Sequence, residues 1–283
     1  MQTFDLPLTK LPEGFGCARS SSLRSTSTTF ETCLDARDRF RGERCCVICG
    51  WDIAVQHCQI IRQAEWHTWR ALKARQWLPP NATHHGQHDP RNGMLMCANH
   101  RLAFENYWFY IRYSPEKRRF IFIDQSDDGY YRKYHGKAIA LDVSDRYAPF
   151  ATLFLIHEQR VRGHWPFAPV VPDLPQDTAW QDWIVSSGYL RDPASTDSPL
   201  FQRDWPQHDP TSSEASSFHP VSGGPATSTG LALNDDVVAQ ILDATRNSLS
   251  WKTSVLENTS WEGTAEENIE KYQRVMGDDN PLR

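Results

Sequence analysis

A chain of 283 residues holds one large domain or two small ones, and an apolar share of 39% with 11 Trp is enough for a packed core. A formal net charge of −5 argues against a molecule that grips nucleic acid by bulk positive charge. No stretch approaches the length of a membrane span, so no membrane partner is expected. The first ten residues lack a cationic segment followed by an apolar run, which predicts a cytoplasmic or nuclear location. In such a compartment the seven clustered Cys point to metal binding rather than disulfides.

Residues 1–26 read as an irregular N-terminus rich in Ser and Pro. A helix is predicted from Thr28 to Phe40, capped by Ser27 or Thr28, and it leads into Cys46-x2-Cys49. Gly50 supplies the turn that a thiolate knuckle needs. A strand follows, then a helix from Glu65 to Trp77 carrying Trp66, Trp69, Leu72 and Trp77 and stopped by Pro79-Pro80. Three Trp on one short helix either pack into a core or line an apolar pocket. The run His84-His85-Gly86-Gln87-His88 is either a solvated loop or, with His57, part of a second metal site.

Next, Met94-Leu95-Met96 gives way to a short helix-compatible segment opened by Cys97-x2-His100. Cys46, Cys49, Cys97 and His100 are then predicted to form a tetrahedral Cys3His set for one structural zinc, the alternative being that the cysteines are ordinary small buried residues. Strands are predicted over 107–113, 119–123 and 137–143, while the segment 154–162 fits a helix or a strand. Within it His157-Glu158 reads as an acid/base pair or a surface pair. Lys117, Arg118, Arg119, Arg132 and Lys133 make a modest basic face. Residues 192–230, rich in Ser, Pro, Asp, Thr and Gly, are predicted to be a disordered linker. Residues 231–283 form a helical tail, with helices over 235–249, capped by Asn234, and 266–276. The tail is expected to dock on the module or on a second copy, the latter giving a homodimer through the C-terminal helices.

The segments Arg44–Gly50, Gln56–Ile61, Asp89–Cys97 and Phe104-Glu105 together resemble the HNH nucleases, and within them the HNH-domain proteins common in fungi. A looser likeness continues through His135-Gly136-Lys137 and Leu153–Phe167. The resemblance implies two strands and a helix around a catalytic Mg²⁺ or Mn²⁺, with nucleic acid as substrate. It also implies roles at particular positions. Gln59, counted back from Ile60-Ile61, stands where the family has its general-base histidine, and an amide cannot take a proton at neutral pH. Arg101 stands where the family has a metal-binding histidine, and a guanidinium does not ligate a cation. Asn92, which orients the base in that family, is kept. His57 shares a strand face with Gln59 and replaces it as base if the strand shifts by two residues.

The sequence thus predicts an α+β protein: a zinc-stabilised ββα-metal (HNH) module with added strands and helices over 27–191, a linker and a helical tail. Two functions stay open. One is a diverged descendant that has lost phosphodiester cleavage and acts on a small apolar molecule in a Trp-rich pocket. The other is an active metal-dependent endonuclease with His57 as general base.

Overall fold

The computed structural model describes residues 28–40, 42–126, 128–166, 178–190, 200–201, 233–257, 259 and 264–277. At its centre β3 (Val55–Gln59) runs antiparallel to β4 (Gly93–Cys97), with Val55 opposite Cys97, His57 opposite Leu95 and Gln59 opposite Gly93. The helix α3 (Ala98–Glu105) starts directly after β4, with Cys97 at its N-cap. This is the ββα arrangement expected from the sequence.

Every residue of β4 is buried, because both faces of the strand are covered. Met94 and Met96 join Cys58 in the main core, while Leu95 packs with Phe30 and Leu34 of α1 (Thr28–Arg37). Gly93 lets α1 lie this close, since a Cβ there would come within 2.6 Å of the Phe30 ring and 2.8 Å of Leu34. The predicted helix to Phe40 stops at Arg37 for an electrostatic reason. Arg37 forms a two-pronged pair with Asp38 at 2.7 and 2.8 Å, and both are buried. Asp38 also accepts from Leu95 N, while Arg37 donates to the Gly93 and Tyr147 carbonyls. The pair therefore needs the chain to turn at Asp38. Phe40 enters a two-residue strand, β1 (Arg39–Phe40), paired with β2 (Glu43–Arg44). The cap candidate Ser27 lies outside the described residues.

Between β3 and β4 the chain makes an excursion that contains α2 (Trp66–Ala74). The helix ends three residues before the predicted Trp77 because Gln76 turns left-handed, at φ +58°. Trp77 N then donates to Leu72 O and Gln76 N to Lys73 O, the paired closure that satisfies the last carbonyls.

The hairpin of β5 (Phe109–Ser114) and β6 (Arg119–Asp124) extends the core beneath α3 and carries α5 (Ala151–His164), which fixes the ambiguous 154–162 segment as helix. The predicted third strand over 137–143 is corrected to an irregular run with single bridges at Ala138. Its backbone bonds divide among Phe120 and Phe122 of β6, Val47 of the knuckle and Ala179, so no one ladder forms. His157 and Glu158 are both buried, correcting the surface-pair reading. His157 stacks on Phe104 with ring centres 3.6 Å apart, while Glu158 is gripped by Arg112 and Arg162, so the two serve different partners. The expected basic face disperses too: Lys117 and Arg119 hold Thr178, and Lys133 lies over Tyr130.

A short helix, α4 (Gly129–Arg132), follows β6. The segment around α6 (Asp182–Ser186) builds a second small core, where Phe40 meets Trp180, Tyr189 and Phe201. Of the predicted linker, Leu200 and Phe201 belong to the described residues, and the rest lies outside them. The tail comprises α7 (Asp235–Asn247), α8 (Leu249–Glu257) and α9 (Ala265–Met276). Asn234 caps α7, accepting from Val237 N, and extended backbone at Ser248 separates α7 from α8. Ile241 of α7 enters the main core, so the tail docks on its own module. Trp261 lies outside the described residues. No helix among them is long and apolar enough to cross a membrane.

Candidate metal centre and the hydrolytic positions

Cys46 and Cys49 sit on a tight turn closed by Gly50 N donating to Cys46 O at 2.8 Å. Gly50 has φ +72°, and a Cβ there would come within 2.5 Å of the Trp183 ring, so conformation and space both require glycine. Trp183 also donates its indole N–H to Ile48 O, which lays the α6 segment over the knuckle. From the other side β4 and α3 deliver Cys97 and His100.

The four ligand atoms lie within 4.8 Å of one another. Cys49 Sγ is 3.9 Å from Cys97 Sγ, and His100 Nδ1 is 3.1 Å from Cys97 Sγ and 3.6 Å from Cys46 Sγ. A tetrahedral zinc with bonds of about 2.3 Å to sulfur and about 2.0 Å to nitrogen puts sulfurs about 3.8 Å apart and sulfur and nitrogen about 3.5 Å apart. The residues fit the ion. Hydrogen bonds from Cys46 and Cys49 hold the Cys97 thiol far below its ordinary value, whereas burial pushes Cys46 well up. His100 Nε2 is buried with no hydrogen-bond partner, among the rings of Phe109, Phe122, Tyr131 and Tyr134. Nδ1 is the nitrogen that faces the sulfurs, so it is the atom that would ligate a metal, with the ring proton then on Nε2.

The hydrolytic positions are tied up otherwise. Gln59 Oε1 accepts from Gln63 N at 3.1 Å. Asn92 is fully buried: its Oδ1 accepts from Ile61 N, and its Nδ2 donates to Ile61 O and Gly86 O. Arg101 donates from Nη1 to Gln56 Oε1 at 2.8 Å and from Nε to Glu105 Oε1 at 2.9 Å. His57 Nε2 lies 2.8 Å from Asp35 Oδ1, on the α1 side of β3 with Val55 and Phe30, whereas Gln56 and Arg101 meet on the α3 side. The structure thus joins His57 to Asp35, not to Asn92 or Arg101. Among the described residues, Cys46, Cys49, Cys97 and His100 are the one metal-competent cluster of three or more His, Cys, Asp or Glu. In the histidine run, the His85 and His88 rings are 6.3 Å apart, and His88 Nε2 contacts Gln87 Nε2 at 2.8 Å.

Beside these positions lies a cavity of about 430 Å³, walled by Ile61, Arg62, Gln63, Trp66, Trp69 and the His85–Gln87 turn. The tryptophans predicted on α2 divide: Trp66 and Trp69 line the cavity, and Trp77 packs against the main core. Sequence reasoning missed Arg62, Gln63 and Gln87, whose one signal was adjacency to Ile60-Ile61 and to the histidine run.

Residues 46–112 match the HNH endonuclease family. No curated protein and no solved structure matches the chain.

Proposed function

We propose, on the footing that residues 46–112 match the HNH endonuclease family, that the protein has lost phosphodiester hydrolysis and uses the tryptophan-lined cavity for a small molecule. One observation carries the reading: Gln59, Asn92 and Arg101 spend their polar atoms on the protein's own backbone and side chains. Hydrolysis needs a group that takes a proton from water, and an amide does not. It also needs a cation at the developing charge, and Arg101 cannot ligate one. Asn92 retains a positioning role, now bracing the backbone that leads from β3 into the cavity wall. When bound, zinc ties the knuckle to α3 and adds directly to folding free energy. The cavity has the composition of a ligand site, with aromatic walls and a few polar groups.

The test is nicking of plasmid DNA and cleavage of RNA with Mg²⁺ or Mn²⁺. A missing base forfeits about 10²–10⁴-fold in rate, so the wild type is expected to leave both substrates intact. The double reversion Gln59→His with Arg101→His separates a decayed site, which regains cleavage, from a rebuilt one, which does not.

A second reading, an active endonuclease with His57 as base, rests on the 2.8 Å contact between His57 and Asp35, the geometry of an oriented imidazole. Wild-type cleavage that His57→Ala abolishes would establish it.

A further inference from the structure

We propose that the cavity beside β3 binds a planar aromatic carboxylate of one or two rings, stacked on Trp66 and held at its charged end by Arg62. This rests on the reading of the cavity as a ligand site and adds the chemistry of the ligand.

The aromatic part follows from the walls. Trp66 is 41% exposed, an apolar surface left to water on a helix whose other large apolar side chains, Trp69 and Leu72, are buried. Its neighbours are the His67 ring at 3.4 Å and the Arg70 guanidinium at 5.4 Å. Trp69 makes the floor, fixed by its indole N–H donating to Thr83 O at 2.9 Å. Gly86 keeps the floor open: a Cβ there would come within 2.7 Å of the Trp69 ring and 3.0 Å of Asn92 Nδ2. A flat ring gains more than its buried area against such a wall.

The negative charge follows from what the rim lacks. The chain carries a net charge of −5, yet the charged residue on this wall is Arg62. Glu65, the acid nearest in sequence, is taken by Arg160 at 2.8 Å. Arg62 donates from Nη2 to the Glu105 carbonyl at 2.8 Å, and among the described residues no carboxylate pairs with it. A guanidinium carries five N–H donors, so Arg62 keeps donors for a carboxylate oxygen without giving up that bond. Gln63 and Gln87 add amides at the same wall. One guanidinium on an aromatic wall suits a carboxylate on a ring, and it does not suit a polyanion, which is gripped by several cations along a groove.

The experiment uses the zinc-loaded full chain and calorimetric titration with 2-naphthoate, its neutral analogue 2-naphthamide and the non-aromatic cyclohexanecarboxylate. Wild type should bind 2-naphthoate at least tenfold more tightly than either of the other two. Arg62→Gln should erase the preference for naphthoate over naphthamide, Arg62→Lys should keep part of it, and Trp66→Leu should weaken both naphthyl probes. Zinc content and melting temperature equal to wild type exclude misfolding of any variant. Equal binding of naphthoate and naphthamide, or a preference that survives Arg62→Gln, overturns the anion while leaving the cavity as a ligand site. Binding indifferent to Trp66→Leu, or cyclohexanecarboxylate bound as tightly as naphthoate, overturns the stacking. No binding by any probe removes both the anion and the cavity reading.

Discussion

Cys49 is the most solvent-accessible of the four metal-site residues, and its sulfur closes the set with Cys97 at 3.9 Å. Replacing it by Ser exchanges a soft thiolate for a hydroxyl that stays protonated. Two sulfurs and one imidazole then face the cation, and burial disfavours the thiolate form of one of those sulfurs, Cys46. Cys49→Ser is expected to bring zinc in metal analysis from one per chain to well below one, with a lower melting temperature. A variant that keeps both zinc and stability would refute the assignment. Structural zinc contributes free energy to the folded state, so the two losses should move together.

At the scale of elements, α5 is pinned to α3 through His157, which is fully buried against Phe104 and contacts the Phe104 carbonyl at 3.1 Å. Burial lowers the His157 pKa to about 3. The unfolded chain therefore takes up a proton near pH 6.5 that the folded chain refuses. Stability from this group is complete above pH 6.5 and is lost as pH falls towards 3. Between pH 6.5 and 5 the loss is about 2 kcal/mol. Thermal melts from pH 7 to 5 should show a steeper decline for wild type than for His157→Gln, since zinc release and carboxylate titration are common to both. Parallel curves would remove the buried neutral imidazole. The elements differed in how far their sequence revealed them. The cysteine pairs were readable because two-residue spacing is itself the geometry of a knuckle, and the hairpin because Ser114–Arg118 is a compact polar turn between apolar runs. Helix α5 was not, because so much of it is buried that no polar face marks its period. Residues 137–143 look like a strand, and nothing in their order reveals that their hydrogen bonds divide among β6, Val47 and Ala179. Arg62 was missed because its partner, the Glu105 carbonyl, lies 43 residues away.

Across the whole molecule, the tail reaches the module's centre through Glu257 at the end of α8. One carboxylate oxygen accepts from Arg91 at 2.9 Å and the other from Arg146 at 2.8 Å. Arg91 is 2% exposed and sits directly before Asn92. Loss of the carboxylate leaves a buried guanidinium with Asp89 at 3.4 Å as its remaining acidic neighbour. Glu257→Gln is expected to cost about 1.5–3 kcal/mol, the usual worth of a hydrogen bond to a charged group, measured by denaturant unfolding. An unchanged midpoint would mean that the tail contributes nothing there. The fold of 46–112 was thus readable from its motifs, whereas the tail's attachment was not, because it depends on an arginine and a glutamate 166 residues apart.

The excursion between β3 and β4 is tied at its neck. Ile60 N donates to Asn92 O, Ile61 N to Asn92 Oδ1, and Asn92 Nδ2 to Ile61 O. Beyond that neck the excursion has two sets of side chains, joined at Trp69, which belongs to the core and floors the cavity. Trp69, Leu72 and Leu78 belong to the core and are constrained by packing. Arg62, Gln63, Trp66 and His85 face the cavity and are free of the core. The second group can thus be substituted, residue by residue, without reopening the strand pair or disturbing the Cys46–Cys49 knuckle. Asn92 is thus the pin that holds the two ends of the excursion together, and substitutions at the cavity wall leave that pin in place.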